Sequence, residues 1–200
     1  MRVAYLLGHD EHSHPITDAT GCRGTLQTTG EAGHGEDANV FGLVSATYTD
    51  GGGRPGAPAL GAQDGLRIWP RLLQAEHFTD MRGVVVYAIP GAGGGEQVGS
   101  TEDDGTDGGV NYVAWEPVDL AGIRTITVTA AAGGDGGPIE VRLDDPVTGQ
   151  LVGTLNVPST GSWETRQDFA LAINPPAGKH KLYFAFPTGG MDVDQIRFDE

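Results

Sequence analysis

One of the three tryptophans in this chain, Trp163, stands in the short polar segment STGSWETR. The preceding residues, IEVRLDDPVTGQLVGTLNVP, have the pattern of two strands joined by a turn, so Trp163 is predicted to lie in a loop. A tryptophan in a loop either folds onto the edge of its domain or offers a flat surface of low conformational entropy to a ligand. The second alternative makes Trp163 the first candidate binding residue.

Carboxylates form a second candidate site. Gln74 and Glu76 are two residues apart, so on an extended strand their side chains share a face. Asp194 belongs to the last predicted strand, which an antiparallel sandwich can place beside the first. Buried carboxylates are costly without a partner, and Ca²⁺ prefers oxygen ligands. The cluster is therefore predicted to hold a cation or to pair with a basic side chain such as Arg197.

Histidines provide a third candidate. On an extended segment His12 and His14 share a face with Asp10, and His34 or Asp37 could complete a metal shell. The chain has no HExxH motif and no cysteine beside these histidines. A zinc-type site and a set of hydrogen-bonded surface histidines both remain open.

Composition and charge restrict the function. The 200 residues include 33 glycines and 12 prolines, which favour short strands joined by turns. The net charge of −15 disfavours binding to nucleic acid or to an anionic membrane surface. The single cysteine, Cys22, excludes an intramolecular disulfide and has no protease-like context. The chain has no G-x-S-x-G motif and no singled-out carboxylate pair, so we expect no enzyme activity of its own.

Alternating apolar residues predict an all-β fold, an antiparallel β-sandwich, over residues 71–200. Residues expected to share a face of a strand recur at alternate positions: Ile126, Val128 and Ala130; Ile139, Val141 and Leu143; Leu151, Leu155 and Val157; Leu182, Phe184 and Phe186; and Asp192, Asp194, Ile196 and Phe198. No helical apolar stripe of useful length interrupts them.

Residues 1–70 also have strand character, in RVAYLL, GTLQTT, NVFGLVSATYT and GLRIWPRL. We expect a small β-sandwich-like domain of unknown role, packed against residues 71–200, because no flexible Gly/Ser linker separates the two. The opening apolar run, Val3 to Leu7, is shorter than the core of a signal peptide. We therefore expect the chain to be an excised piece of a larger protein, which, if it is exported, carries its targeting segment elsewhere.

Residues 72–199 resemble a family 6 carbohydrate-binding module. The matching stretches are QAEHFTDMRGV, VGSTEDDGTDGGVNYVAWEPVDLAGIRTITVTAAAGGDGGPIEVRLDDPVTGQLVGTLNVPSTGSWETR, AGKHKLYFAF and MDVDQIRF. The resemblance implies a jelly roll that binds polysaccharide or oligosaccharide without cleaving it. Residues 1–70 resemble, more weakly, the short β region that precedes such modules in large secreted bacterial proteins acting on sugars.

The resemblance also implies site residues. Trp163 would form one wall of the sugar cleft, stacking on the apolar C–H face of a sugar. Two positions depart from the family pattern: Ser100 stands where an aromatic usually follows VG, and Asp192 stands where an asparagine usually precedes the last strand. Tyr112, with the neighbouring Asn111, completes the set of candidate carbohydrate-binding residues.

The resemblance further implies a structural calcium ion held by Glu76 and Asp194, with Gln74 beside them. The acidic loop TEDDGTDGG, which contains Glu102, Asp103, Asp104 and Asp107, would reshape the cleft or remain a solvated loop. The leading interpretation is thus a non-catalytic, calcium-containing carbohydrate-binding module. The alternative is a structural or interaction module whose cleft is inactive because of Ser100 and Asp192.

Overall fold

The computed structural model describes residues 1–9, 12–28, 34–35, 38–100 and 109–200. Within it the chain divides into two compact units, Met1–Pro70 and Arg71–Glu200. Among the described residues, no helix has the length and apolar character needed to cross a membrane.

The first unit contains one antiparallel sheet in the order β2-β1-β3-β4. Its strands are β1 (Arg2–His9), β2 (His12–Thr20), β3 (Val40–Thr49) and β4 (Gly61–Ile68). The expected second sheet of a sandwich is not among the described residues of this unit. Its buried apolar side chains there are Tyr5, Leu7 and Phe41, which are too few to fill a core between two sheets.

The second unit is a β-sandwich, which confirms the predicted fold class. Its six-stranded sheet consists of β5 (Leu72–Gln74), β7 (Val84–Ala88), β8 (Glu96–Ser100), β10 (Thr125–Ala131), β13 (Gln167–Ala172) and β15 (Asp192–Asp199). Its five-stranded sheet consists of β6 (Asp80–Arg82), β9 (Asn111–Asp119), β11 (Gly136–Leu143), β12 (Gln150–Pro158) and β14 (Lys179–Phe186). All pairings are antiparallel.

Alternate residues of these strands fill the core, as predicted. Fully buried side chains include Trp115, Ile126, Ile139, Leu182 and Phe184. The indole N–H of Trp115 donates to the carbonyl of His77 over 2.9 Å, which satisfies the only polar group of this large core residue.

The predicted alternation of residues along the strands is wrong at two places, in β12 and in β15, because the strand pairing is irregular there. The pairing of β11 with β12 skips Val152, and Leu151 is 46% exposed although Leu155 and Val157 are buried. In β15, Gln195 pairs with Thr129 and Val193 with Ala130, so Asp194 is the extra residue. An extra residue reverses the alternation of a strand beyond it. The sequence pattern had placed Asp192 on the same face as Ile196 and Phe198. The extra residue makes that prediction wrong for Asp192.

Candidate functional site

The loop that carries Trp163 is fastened to the end of β10. The backbone N–H of Thr160 donates to the Ala132 carbonyl over 2.9 Å, and the Ala132 N–H donates to Thr160 Oγ1 over 3.0 Å. Across the tryptophan, the hydroxyls of Ser162 and Thr165 are 2.9 Å apart. These bonds restrain the backbone on both sides of Trp163.

Trp163 packs on a glycine and leaves much of its ring uncovered. A Cβ atom placed on Gly133 would lie 2.5–2.7 Å from the indole atoms Nε1, Cε2 and Cδ1, so only glycine allows this contact. The side chain remains 46% exposed. The indole is thus supported from beneath by backbone and presents its remaining surface to solvent, the arrangement expected of a stacking surface.

Asp192, the first residue of β15, lies in a buried hydrogen-bond cluster. Its carboxylate accepts a short hydrogen bond from the Tyr87 hydroxyl and a 2.9 Å bond from the Gln97 amide. The Gln97 amide also donates to the Tyr87 hydroxyl over 2.7 Å. Burial raises the pKa of Asp192, while these hydrogen bonds and the nearby Arg166 charge oppose that rise. Burial likewise raises the pKa of Tyr87 to about 12, so the phenol stays protonated and donates.

Tyr87 is the functional candidate that sequence reasoning missed. It lies on the edge strand β7, is 36% exposed, and packs over Gly99, where an added Cβ would lie 3.0 Å from Tyr87 Cε1. Gly99 pairs with Asp192, and Asp192 pairs with Ala131, two residues before Gly133. The glycines beneath Tyr87 and Trp163 are therefore two strands apart, about 10 Å across the sheet. The available signal was a tyrosine near the end of the apolar run VVVYA.

Ser100 and Asn111 are buried and contact other residues of the protein. Ser100 is 9% exposed, and its hydroxyl donates to the Met191 carbonyl over 2.9 Å. Asn111 is 5% exposed and lies against Gly83, where a Cβ would be 1.7 Å from Asn111 Oδ1. Both side chains offer little surface to a ligand.

Tyr112 lies on the other sheet of the sandwich. Its hydroxyl donates to Asp80 Oδ2 over 3.2 Å, and its ring meets that of Tyr183 edge to face with centroids 5.0 Å apart. Lys181 Nζ is 2.6 Å from the same Asp80 oxygen and holds the pKa of that carboxyl below its usual value. Asp192 is thus the predicted residue that the strand pairing connects to the Trp163 loop, and Tyr112 is built into a polar cluster on β9, β6 and β14.

The predicted carboxylate cluster is brought together. Gln74 on β5 pairs with Gln195 on β15, next to Asp194, and Glu76 follows in a single 3-10 turn, Ala75–His77. Three side-chain oxygens are buried without a hydrogen-bond partner: Gln74 Oε1, Glu76 Oε2 and Asp194 Oδ1.

The electrostatics of the cluster are unfavourable without a counter-charge. Burial raises the pKa of Glu76 to about 7, and the neighbouring Asp194 and Glu96 charges add to the rise. Burial raises the pKa of Asp194 to about 6, although the Arg166 charge and a hydrogen bond from the Gly93 backbone oppose it. Three unpartnered oxygens around two carboxylates fit the donor set that Ca²⁺ prefers.

Arg166, and not Arg197, is the basic side chain at this cluster. Arg197 Nε instead lies 3.1 Å from Asp199 Oδ2. The alternative of carboxylates paired with a basic side chain stays a prediction, with Arg166 in place of Arg197. Arg166 Nε is 3.5 Å from Asp194 Oδ2 and donates to Gln97 Oε1 over 3.3 Å. It thereby connects the Asp194 cluster to the Gln97–Asp192–Tyr87 cluster.

The histidines of the first unit also lie together. The ring of His9 is 3.9 Å from that of His12 and 5.1 Å from that of His14, between centroids, and His34 is 4.3 Å from His9. His9 was not among the predicted ligands. Asp10, Asp37 and the acidic residues Glu102, Asp103, Asp104 and Asp107 lie outside the described residues.

Comparison with known proteins identifies relatives of the second unit. Residues 74–200 match the sequence profile of the family described as carbohydrate binding module (family 6). An arabinoxylan arabinofuranohydrolase of Bacillus subtilis is 51% identical over 64 residues, which are 32% of this chain and 12% of that enzyme. The chain thus corresponds to a small part of this relative's length.

Solved structures that are similar to the second unit are also carbohydrate-binding modules of family 6. A family 6 carbohydrate-binding module from Clostridium cellulolyticum, in complex with xylose, superposes with a TM-score of 0.56 at 29% identity, covering 64% of this chain and 96% of that one. A β-1,3-glucan binding module of this family from Bacillus halodurans gives a TM-score of 0.56 at 29% identity, covering 64% and 95%.

The raised carboxyl pKa values predict how the stability of the metal-free chain depends on pH. The pKa of Glu76 is ordinarily 4.5 and rises to about 7 in the folded chain, and the pKa of Asp194 is ordinarily 3.8 and rises to about 6. At pH values between these limits the folded state therefore binds more protons than the unfolded state. With a chelator present, this pair lowers the free energy of unfolding as pH rises from about 4 to 7. Urea titrations across this range measure the slope.

The variant Glu76→Gln should show a shallower decline, because one of the two carboxyl groups with a raised pKa no longer ionises. The matched control is Glu140→Gln, which removes a carboxylate paired with Arg142 on β11. A wild-type slope retained in Glu76→Gln, or a slope equally reduced in Glu140→Gln, would contradict the assignment.

Proposed function

The chain belongs to family 6 of the carbohydrate-binding modules, and on that premise we propose that its second unit binds a neutral polysaccharide in a cleft walled by Trp163 and Tyr87. A module of this family binds carbohydrate without cleaving it, and similar modules have been solved with xylose and cellobiose. The cleft and its ligand are our proposals.

Two supported aromatic rings carry this proposal. Trp163 rests on Gly133 and Tyr87 rests on Gly99, and both side chains are partly exposed. Asp192 lies between these two positions in the strand pairing. A sugar stacks its apolar faces on aromatic rings, so two aromatic walls suit it, and the buried Asp192 contributes by holding the Tyr87 hydroxyl.

Tyr87 also answers the argument for an inactive cleft. The family position occupied here by Ser100 lacks an aromatic, and Ser100 is buried. Tyr87 lies on the edge strand β7, and its hydroxyl reaches Asp192 of β15 across β8. In the proposed cleft its ring lies on the side away from Trp163. The spacer or docking module remains the second candidate function, and it predicts that neither ring contributes to glycan binding.

Charge selects among glycans. The net charge of −15 disfavours polyanionic polysaccharides through repulsion. The two similar modules at 29% identity were described with xylose and as binding β-1,3-glucan, both of which are neutral. We therefore propose neutral, β-linked plant or microbial polysaccharides as the ligand class.

We also propose that Gln74, Glu76 and Asp194 hold a structural calcium ion. The supporting observation is the set of three buried, unpartnered oxygens, one from each residue. The ion would supply the positive charge that Arg166 provides only in part, and it would fasten the segment after β5 to β15.

The setting of the module is a further proposal. The relatives that it resembles are larger enzymes, the arabinofuranohydrolase and an endo-1,4-β-xylanase A of Thermoclostridium stercorarium, of which the match spans 12% and 23%. We propose that the module serves a larger, secreted protein acting on polysaccharides and that its role there is to keep that protein on its substrate.

Replacement of Trp163 tests the cleft. Trp163→Ala removes an exposed stacking surface without disturbing the core, so affinity for xylan or β-glucan oligosaccharides should fall at least about tenfold. Affinity electrophoresis against a glycan panel and isothermal titration measure this loss. The matched control is Tyr48→Ala, which removes an aromatic that is 52% exposed in the first unit. Equal retardation of wild type and Trp163→Ala would exclude this cleft.

Two replacements of Tyr87 separate its ring from its hydroxyl. Tyr87→Ala removes the proposed wall and should weaken glycan binding about tenfold. Tyr87→Phe keeps the ring and should keep affinity within about threefold, although the loss of the hydrogen bond to buried Asp192 lowers stability by about 1–3 kcal/mol. Isothermal titration and thermal unfolding of both variants report the two effects. Full affinity in Tyr87→Ala would show that the ring is not a wall.

Removal of calcium tests the metal proposal. A ligand that binds only the folded state raises its melting temperature, so calcium in large excess over its dissociation constant should raise that of the chelated chain by roughly 5–10 °C. Asp194→Asn should reduce this increment strongly, whereas Asp199→Asn, on the same strand but paired with Arg197, should retain it. Identical melting curves with calcium and with chelator would refute the site.

A further inference from the structure

The end of the β1–β2 hairpin carries a concentration of imidazoles that carbohydrate binding by the second unit does not use. His9 ends β1 and His12 begins β2, and the two are direct partners in the strand pairing. His14 follows two residues later, so it shares a face with His12. The hairpin therefore brings three imidazoles to one place from two neighbouring strands.

The ring nitrogens converge. One ligand atom from each of His9, His12 and His14 lies within 4.8 Å of the other two. His9 Nε2 and His14 Nε2 are 3.0 Å apart. Two nitrogens bound to zinc at 2.0–2.1 Å in tetrahedral geometry are about 3.3 Å apart, so this pair is nearly at ligand separation already.

The surroundings favour a soft or borderline divalent ion. His12 and His14 are exposed and His9 is half-buried, so an ion can reach all three from solvent. Imidazole suits zinc, copper and nickel, whereas calcium and magnesium require oxygen ligands. The net charge of −15 raises the local concentration of cations near this chain.

We propose that His9, His12 and His14 form a binding site for a late first-row divalent metal, of which Zn²⁺ is the representative ion. Three protein ligands leave one tetrahedral position for water or an anionic group, as in zinc sites that keep an open position. His34 lies beside His9 with its ring centroid 6.4 Å from that of His14, and it borders the site without being one of the three ligands.

Metal titration of the whole chain, prepared without an affinity tag, tests this site. Equilibrium dialysis against Zn²⁺ in millimolar calcium keeps the carboxylate cluster supplied with its own ion. We expect one zinc bound per wild-type chain and at least about a tenfold loss of zinc affinity in His14→Gln and in His12→Gln. Because His12 and His14 are exposed, both variants should keep the wild-type melting temperature in chelator.

The matched control is His180→Gln in the second unit, where His180 bonds Asp144 and lies outside this group. It should bind zinc as the wild type does. Cobalt(II) provides an independent readout, because a tetrahedral site gives intense visible bands that His9→Gln should abolish. No zinc uptake by the wild type, or uptake unchanged in both His12→Gln and His14→Gln, would overturn the proposal.

Discussion

Two carboxylates on one strand are the constraint around which the candidate sites of the second unit are organised. Asp192 and Asp194 lie at the start of β15, 6% and 4% exposed, in the interior of the six-stranded sheet. A buried carboxylate costs several kcal/mol unless hydrogen bonds or an opposite charge compensate for it. The extra residue at Asp194 lets the strand place apolar Val193 and Ile196 in the core and still carry both carboxylates.

The two carboxylates are compensated in different ways, and the difference supports the different roles proposed for them. Asp192 is surrounded by neutral donors, the Tyr87 hydroxyl and the Gln97 amide. Asp194 has one distant guanidinium contact and an unpartnered oxygen, next to a second carboxylate. The first environment is complete within the protein and holds Tyr87 in place. The second is incomplete within the protein, which is the physical argument for a bound cation.

Arg166 makes these two environments one network. Its Nε atom lies near Asp194 Oδ2 and donates to Gln97 Oε1. The Gln97 amide in turn donates to Asp192 and to the Tyr87 hydroxyl. Arg166 also lies three residues after Trp163, at the end of the loop fastened to Ala132. A change in charge at Asp194 therefore acts on a side chain that also orders the polar floor of the proposed cleft.

The sequence predicted the parts of the fold that depend on periodicity. Strand β11 buries every second residue as expected, because a regular strand keeps a period of two, whereas β14 buries five consecutive residues from Leu182 to Phe186. It failed at Leu151 and Asp192, because one extra residue in a pairing reverses the alternation and leaves no mark in composition. The approach of Gln74 and Glu76 to Asp194 was predictable because the first and last strands of an antiparallel sandwich can lie side by side, as β5 and β15 do.

Tyr87 and His9 escaped prediction for a related reason: each acquires its role only through a cross-strand neighbour. Tyr87 is defined by Gly99 and Asp192 on strands distant in sequence, and His9 by His12 across the hairpin. Both contacts involve an edge strand, β7 in one sheet and β2 in the other. Central strands have neighbours on both sides, whereas an edge strand has a free side on which side chains can meet solvent and ligands. In each unit, therefore, one contact that the sequence pattern could not reveal involves an edge strand, where the demands of core packing are weakest, whereas Trp163 and Asp194 are held by the interior strands β10 and β15.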